Sequence, residues 1–558
     1  MAEMSPGTDR FPHRTLIFIA VAAALLRLLW ITYNGSVIEN EGAEYARIAD
    51  NLRAGRGYVG MLGGRQTLFP PLYPFLIAAV SALGLTSEWA GRLISFAAGI
   101  ALLWPIFGVA RMLSDTRAGI LAAILVAVHG LTIALAGAAY SESLYLFATY
   151  CALYFSLRLL EQPTCTLGAA AGASFGLAYL TRPEAIIGPL VLAACVLAGA
   201  LARREPTAPA VRATLVTAPA VRALLVAVLV SVSIAAPYVA WLSINSGYLR
   251  WEGKSLTNAI IAQRMIEGES YLQASRGLTA AAEPRGVYMF PDQFSFRSTA
   301  AQSTGALVAG MVSGLLARGV GVARDLLRQW TLGAYPLFLL AAIGWISSAA
   351  RLRRPTAILF ITLMLAASLG ALLTMQHRWE RHLYPFALLC LPLAAIGLST
   401  SARVLREVGR RLQLTAGALG IAEYGAIATV LSLLALKTVA AIIPDGEFAQ
   451  ARAAPLKEVG LWLREQRANA TVMDLSMVPA YYAAATVEYL PWAEAGVALK
   501  YIHSHPADYI VLRSQSQWQA PYMSTWLAGG IPDPCASPVK TFLEHGDGRI
   551  VVYSWTCG

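Results

Sequence analysis

The chain has 558 residues, 57% of them hydrophobic and 13% charged, a higher apolar share than a soluble protein and about half its usual charge. That composition excludes a soluble globular enzyme and marks a polytopic membrane protein. The net charge of +11 is spread between apolar segments rather than gathered into an arm, which excludes a nucleic-acid partner and fits the charge bias of membrane-protein loops.

In chain order, basic residues at 10 and 14 precede a first apolar run at 15–33 with no cleavage site, so it reads as a retained helix with a cytoplasmic start. A span needs about 20 mainly apolar residues, and about eleven segments qualify. They are 15–33, 88–111, 117–136, 142–159, 166–180, 185–201, 224–242, 334–348, 357–375, 383–399 and 418–443. Residues 71–85 are too short and proline-flanked to span and are expected to lie in the membrane interface. If every candidate spans, the arginine-rich loops share one side, the cytoplasmic one. The loops 34–87 and 244–332, the turns at 140–142, 182–184 and 376–382, and everything after 443 then lie on the opposite, periplasm-like side. The tandem decapeptide at 207–226 is expected to sit in a cytoplasmic loop and to carry no chemistry.

The first external loop is the most informative stretch. Its carboxylates Glu39, Glu41 and Glu44 sit close to a bilayer surface, where an unpaired charge is costly. Asn40 is a plausible N-cap, and Tyr45, Ile48, Ala49 and Leu52 recur at helical spacing, so a short amphipathic helix should start at Glu41 and stop at Gly55 or Gly57. Glu41 either caps that helix or serves as a base. Glu142, in AYSESLY, stands at the mouth of the next span pair, as a second acid or as a helix start. Arg182 and Glu184 flank a proline in LTRPEA, as a salt bridge or as part of a site. His377, Arg378, Glu380, Arg381 and His382 crowd one turn, suited to phosphate oxygens, to lipid headgroups or, through His377, Glu380 and His382, to a metal ion.

After residue 443 the pattern turns to a small soluble α/β domain, 444–558, with an amphipathic helix at 456–467 and strand-like runs at 470–475, 486–490, 507–512 and 549–555. No phosphate-binding glycine motif is present, so no nucleotide site is assigned to it. Cys535 and Cys557 are expected to pair if this region faces an oxidising compartment, whereas Cys151, Cys165, Cys195 and Cys390 lie in or beside apolar segments.

ENEGAEYARIADNLRAGRGY followed by PPLYP, SESLY, LTRPEA and RHLYP resembles the polyprenyl-phosphate-dependent membrane glycosyltransferases of the GT-C fold, akin to the protein O-mannosyltransferases and the lipid A aminoarabinose transferases. The likeness covers the chain to about residue 400. It implies a mainly α GT-C helical bundle over 1–443 and an inverting transfer from a polyprenyl-phosphate-linked sugar to a glycan, lipid or protein acceptor. The setting it implies is the outer face of a bacterial inner membrane, among membrane lipids, with no cofactor and no metal demanded. Aligned on Tyr45, Glu41 takes the place of the family's catalytic Asp and Gly42 that of its paired acid, a departure. Glu142 takes the second acidic position. Glu39, Tyr45, Tyr73, Arg182, Glu184, Arg378, Arg381 and His382 are implied to bind substrate, with Arg381 nearest the donor phosphate. The competing readings are a transporter or lipid flippase and an inactive scaffold.

Overall fold

The computed structural model describes residues 12–34, 37–202, 210–292, 319–324, 335–350, 355–374 and 384–557. The membrane part begins with α1 (His13–Asn34), which is followed by α2 (Asn40–Arg53) and α3 (Leu72–Ser81) in the loop after it. Next come α4 (Ser87–Ala101) and α5 (Leu103–Leu113), nearly continuous, then α6 (Thr116–Val128), α7 (Gly130–Gly137), α8 (Glu142–Glu161), α9 (Cys165–Thr181), a 3-10 turn (Pro183–Ile186), α10 (Ile187–Ala202) and α11 (Ala210–Ser246). The long loop after α11 holds α12 (Ser255–Ile266), α13 (Tyr271–Arg276) and a 3-10 turn (Val287–Met289). Apolar helices α14 (Tyr335–Ala350), α15 (Pro355–Thr374) and α16 (Tyr384–Arg411) complete the bundle before α17 (Ala416–Gln466).

Among the described residues, seven helices are long and apolar enough to cross a membrane, and an eighth span is a bent pair. The single span expected at 117–136 is that pair, α6 and α7, meeting at 57°. The bend is held from inside the bundle. Buried Arg27 on α1 donates to the carbonyls of Val126 at 3.3 Å and Ala127 at 3.3 Å, taking backbone groups that the broken helix leaves open. The segments at 71–85, 166–180, 185–201 and 334–348 form shorter apolar helices, so the expected count of eleven is not reproduced by length and composition. Nor is the second copy of the decapeptide in a loop, because its residues continue into α11.

At residue 444 the structure corrects the sequence. The amphipathic helix expected as a separate element is the end of α17, which runs unbroken for 51 residues from the membrane part into the outer domain. The alanine-rich stretch after Pro444 favours helix enough to carry the chain through it. Beyond it lie β1 (Thr471–Asp474), α18 (Met477–Tyr482), β2 (Thr486–Tyr489), α19 (Ala495–Ser504), β3 (Tyr509–Arg513), α20 (Met523–Gly529), β4 (Ala536–Glu544) and β5 (Gly548–Trp555). The sheet order is β2-β1-β3-β5-β4, parallel through β2, β1 and β3 and antiparallel at β3/β5 and β5/β4. Strand β4 was not expected: it is an edge strand, exposed along most of its length, so it lacks the alternation that reveals a half-buried strand. Cys535 and Cys557 form the expected disulfide.

The outer domain is docked rather than tethered. The Val487 N–H donates to Met61 O at 3.0 Å, and Val37 and Met61 of the first loop sit in the same apolar cluster as Val472, Val487 and Val552. On its other side, the Trp492 N–H donates to Arg276 O of the second loop at 2.9 Å. Both loops are therefore positioned by the C-terminal domain as well as by the helices they connect.

Candidate active site

Helix α2 places the first acid. Its N-cap is Glu39, not Asn40, and no side chain caps it. Asn40 instead accepts from the Ser476 hydroxyl and the Met477 N–H, both at 2.9 Å, so the residue expected to start the helix ties it to the outer domain. Glu41 follows in the first turn, where the helix dipole favours a carboxylate, and is half-buried. The glycine beside it has a steric cause. A Cβ at Gly42 would lie 3.0 Å from Ile38 and 3.1 Å from Ala139, so the helix packs too closely there to leave ready room for an acidic side chain.

Tyr45, one turn on, is the hub. Its hydroxyl is 3.0 Å from the Ser141 hydroxyl, and its ring meets Phe69 at 4.9 Å and Tyr73 at 5.0 Å edge-on. Glu41, Glu142 and Arg182 all act electrostatically on it, though burial is the larger cause that holds its hydroxyl well above the ordinary tyrosine range. Tyr73 is fully buried and fixed to α4, donating to Gly91 O at 2.9 Å with its hydroxyl 2.8 Å from that of Ser95.

Opposite α2, Glu142 opens α8 and is buried. Arg182, at the C-cap of α9, reaches it at 2.7 Å through one nitrogen and Glu184 at 3.4 Å through another, and lies over the Tyr145 ring. One oxygen each of Glu142 and Glu184 is buried with no hydrogen-bond partner among the described residues. A buried unpaired acceptor normally costs free energy, so this pair is primed for an incoming donor or cation. Arg182 and Glu184 line an open cleft with Tyr145, Phe386 and Met364, between the outer ends of α8, α10, α15 and α16. Lys254, just before α12, acts on Glu184 and lies 5.1 Å from the Phe69 ring centre.

Of the expected site residues, Glu41, Tyr45, Tyr73, Glu142, Arg182 and Glu184 come together. Glu39 turns to the α4 side, accepting from the Ala139 N–H at 3.3 Å, and burial pushes its carboxyl up despite the nearby Arg92. Arg378, Arg381 and His382 lie outside the described residues, as do His377 and Glu380. Glu44 is structural: buried, it accepts from Gln66 at 2.6 Å and the Met61 N–H at 2.8 Å and pins the hairpin that reaches the sheet. Sequence reasoning missed Lys254. The only available signal for Lys254 was a lone cation in the polar stretch EGKS.

Residues 69–241 match the family model described as dolichyl-phosphate-mannose-protein mannosyltransferase. A search of curated proteins finds no significant sequence match. Among solved structures, the chain is similar to the Archaeoglobus fulgidus oligosaccharyltransferase in its apo form, at 16% identity and a TM-score of 0.57 over 95% of this chain and 73% of that one. It is also similar to ArnT from Cupriavidus metallidurans bound to undecaprenyl phosphate, at 13% identity and a TM-score of 0.56 over 98% of both chains. A third likeness is AglB from Archaeoglobus fulgidus in complex with an inhibitory peptide and a dolichol-phosphate, at 16% identity and 0.56 over 94% and 72%. The chain is thus a multi-pass membrane protein of the GT-C fold whose residues 69–241 carry the mannosyltransferase family model.

Proposed function

We propose that this protein is an inverting glycosyltransferase, moving a sugar from a polyprenyl phosphate to a hydroxyl of a cell-envelope acceptor at the outer face of a bacterial inner membrane. The observation that carries the reading is the meeting of Glu41, Glu142 and Arg182 around Tyr45, with Glu184 bound to Arg182 and Lys254 acting on Glu184, beside a cleft open between membrane helices. A donor lying in the bilayer brings its phosphate to that cleft. The oligosaccharyltransferase and ArnT structures bound to dolichol-phosphate and undecaprenyl phosphate support such a ligand for this fold.

In the proposed step Glu41 accepts the proton of the acceptor hydroxyl as its oxygen attacks the anomeric carbon from the face opposite the phosphate. The bond from that carbon to the phosphate oxygen breaks, and the lipid phosphate leaves with the electron pair. Negative charge grows on the leaving oxygen, so cations fixed in advance lower the barrier. Lys254 supplies one, and Arg378, Arg381 and His382 are proposed to supply others. Arg182 holds Glu142 and Glu184 in place, and Glu142 orients the acceptor. Tyr45 and Tyr73 form the floor of the site, and Glu39 sets the entry of α2.

The test is transfer from radiolabelled undecaprenyl-phosphate sugars by purified protein in lipid nanodiscs. Removing a general base lowers rates about 10²–10⁴-fold, the loss expected for Glu41→Gln with the melting temperature preserved. Undiminished turnover in that variant would remove Glu41 from the base role. Protein that moves labelled lipid across vesicles without cleaving any donor would point to a flippase instead.

A further inference from the structure

One buried cation holds both acid-bearing segments from behind. Arg92, on α4, is buried, and its guanidinium bridges the chain that enters α2 and the chain that leaves α7. Its Nη2 donates to Val37 O at 2.7 Å and its Nη1 to Gly137 O at 3.1 Å. Val37 leads into the first turn of α2, where Glu41 stands, and Gly137 leads across Ser141 to Glu142 at the start of α8. A second tie crosses the same gap, from the Ala139 N–H to the Glu39 carboxylate at 3.3 Å. A Cβ added at Gly42 of α2 or at Gly91 of α4 would lie 3.1 or 3.2 Å from the Ala139 methyl. The three pieces are thus close-packed on one another, and a shift in one is passed to the others.

The guanidinium is itself braced. Glu88, one turn earlier on α4 and also buried, accepts from Arg92 Nη2 at 3.1 Å, and its other oxygen accepts from the Tyr482 hydroxyl at 2.9 Å. That hydroxyl in turn accepts from the Ile38 N–H at 3.0 Å. Tyr482 ends α18, so the C-terminal domain closes a ring that runs from Tyr482 through Glu88, Arg92 and Val37 and back by way of Ile38. Glu88 offsets the charge of Arg92, and the planar fork fixes two stretches of chain in directions that a lysine ammonium does not match.

We propose that Arg92 is the positioning residue that sets the aim of Glu41 relative to Glu142, and that Tyr482 of the C-terminal domain, through Glu88, holds Arg92 in place. The inference rests on the glycosyltransferase reading, with Glu41 as base, and deepens it. Arg92 acts through the two carboxylates, and the C-terminal domain thereby takes a part in the rate of transfer.

The experiment compares full-length wild type, Arg92→Lys and Tyr482→Phe in nanodiscs with radiolabelled undecaprenyl-phosphate sugars, each substitution alone and combined with Glu41→Gln. Arg92→Lys keeps the charge beside Glu88 and loses the fork. Misplacing a reacting group by about 1 Å costs up to about 10²-fold, so kcat in Arg92→Lys should fall about 10–100-fold with the donor KM within about twofold. Tyr482→Phe, which removes one hydroxyl, should lower kcat about threefold at an unchanged melting temperature. In the Glu41→Gln background both losses should shrink to within about twofold, because the aim of an absent base no longer matters. Equal losses in both backgrounds would overturn the proposal and leave Arg92 a structural residue, and so would wild-type kcat in Arg92→Lys. Should Arg92→Lys fail to fold, Tyr482→Phe decides alone: a kcat unmoved, or lowered equally with and without Glu41, overturns the proposal. A wild type that cleaves no donor, or undiminished transfer in Glu41→Gln, would instead defeat the reading beneath it.

Discussion

Two charged clusters sit at opposite ends of the bundle, and they are finished differently. At the α5–α6 and α16–α17 turns, Glu423 gives one oxygen to Arg117 and the other to Arg406 at 3.0 Å. Asp115 there caps α6 through the Ala118 N–H at 2.8 Å and holds Arg403 at 3.2 Å. Every oxygen of those two carboxylates is taken, and what is left over is an N–H on Arg117 and one on Arg403. At the opposite end of the bundle the remainder has the other sign: among the described residues, one carboxylate oxygen each of Glu142 and Glu184 stands buried without a partner. The first network closes on itself, whereas buried acceptors left open, as at Glu142 and Glu184, call for a further donor.

The sharpest way to break this contrast is Arg182→Ala. It leaves Glu142 and Glu184 facing each other without their cation, and removing one partner of a buried pair costs about 3–5 kcal/mol. Transfer should vanish and the melting temperature should fall, as read by donor turnover and scanning fluorimetry. A variant that kept wild-type turnover would mean that the outer cluster is architecture too. Glu423→Gln is the counterpart with a smaller effect. It should lower the melting temperature while leaving transfer within about twofold, since surface-facing arginines contribute little once unpaired.

A third and gentler probe compares the two domains through pH. Asp474 is fully buried at the end of β1, and burial pushes its carboxyl up from 3.8 to about 7, against the pull of Arg513 and of the Ser476 and Leu475 N–H groups. The folded protein thus keeps a proton that the unfolded chain releases near pH 4. The stability linked to this group is complete below about pH 4 and is lost as pH rises towards about 7. Asp474→Asn should flatten that slope in thermal melts between pH 4 and 8 and raise stability at the alkaline end, because the amide oxygen still accepts from Leu475 and Ser476. An unchanged slope would assign the titration elsewhere.

How much of this was legible in the sequence depended on whether the signal was local. Glu41 and Tyr45 on one helix, Glu142 at a helix start, and Arg182 beside Glu184 could all be read from short-range spacing, and the fold brings them together. The bend at His129 could not, because what stabilises it is Arg27, about a hundred residues away in sequence. Asn40 has the chemistry of an N-cap, yet Ser476 and Met477 compete for its oxygen and win. Lys254 carries no motif, since its value comes from Glu184 and the Phe69 ring that it reaches rather than from its neighbours in the chain. Gly42 looked like a missing acid and is a contact point instead.

The unbroken α17 has one more consequence. At about 1.5 Å per residue, its 51 residues make a rod of roughly 75 Å, far more than the roughly 30 Å of hydrocarbon it needs to cross. The remainder acts as a ruler and an axle, fixing both the height of the sheet above the lipid and its heading. One residue more in that rod would turn the sheet by about 100° and pull its edge out of line with Met61 and Asn40, so the spacing of the shaft is under the same geometric demand as the site.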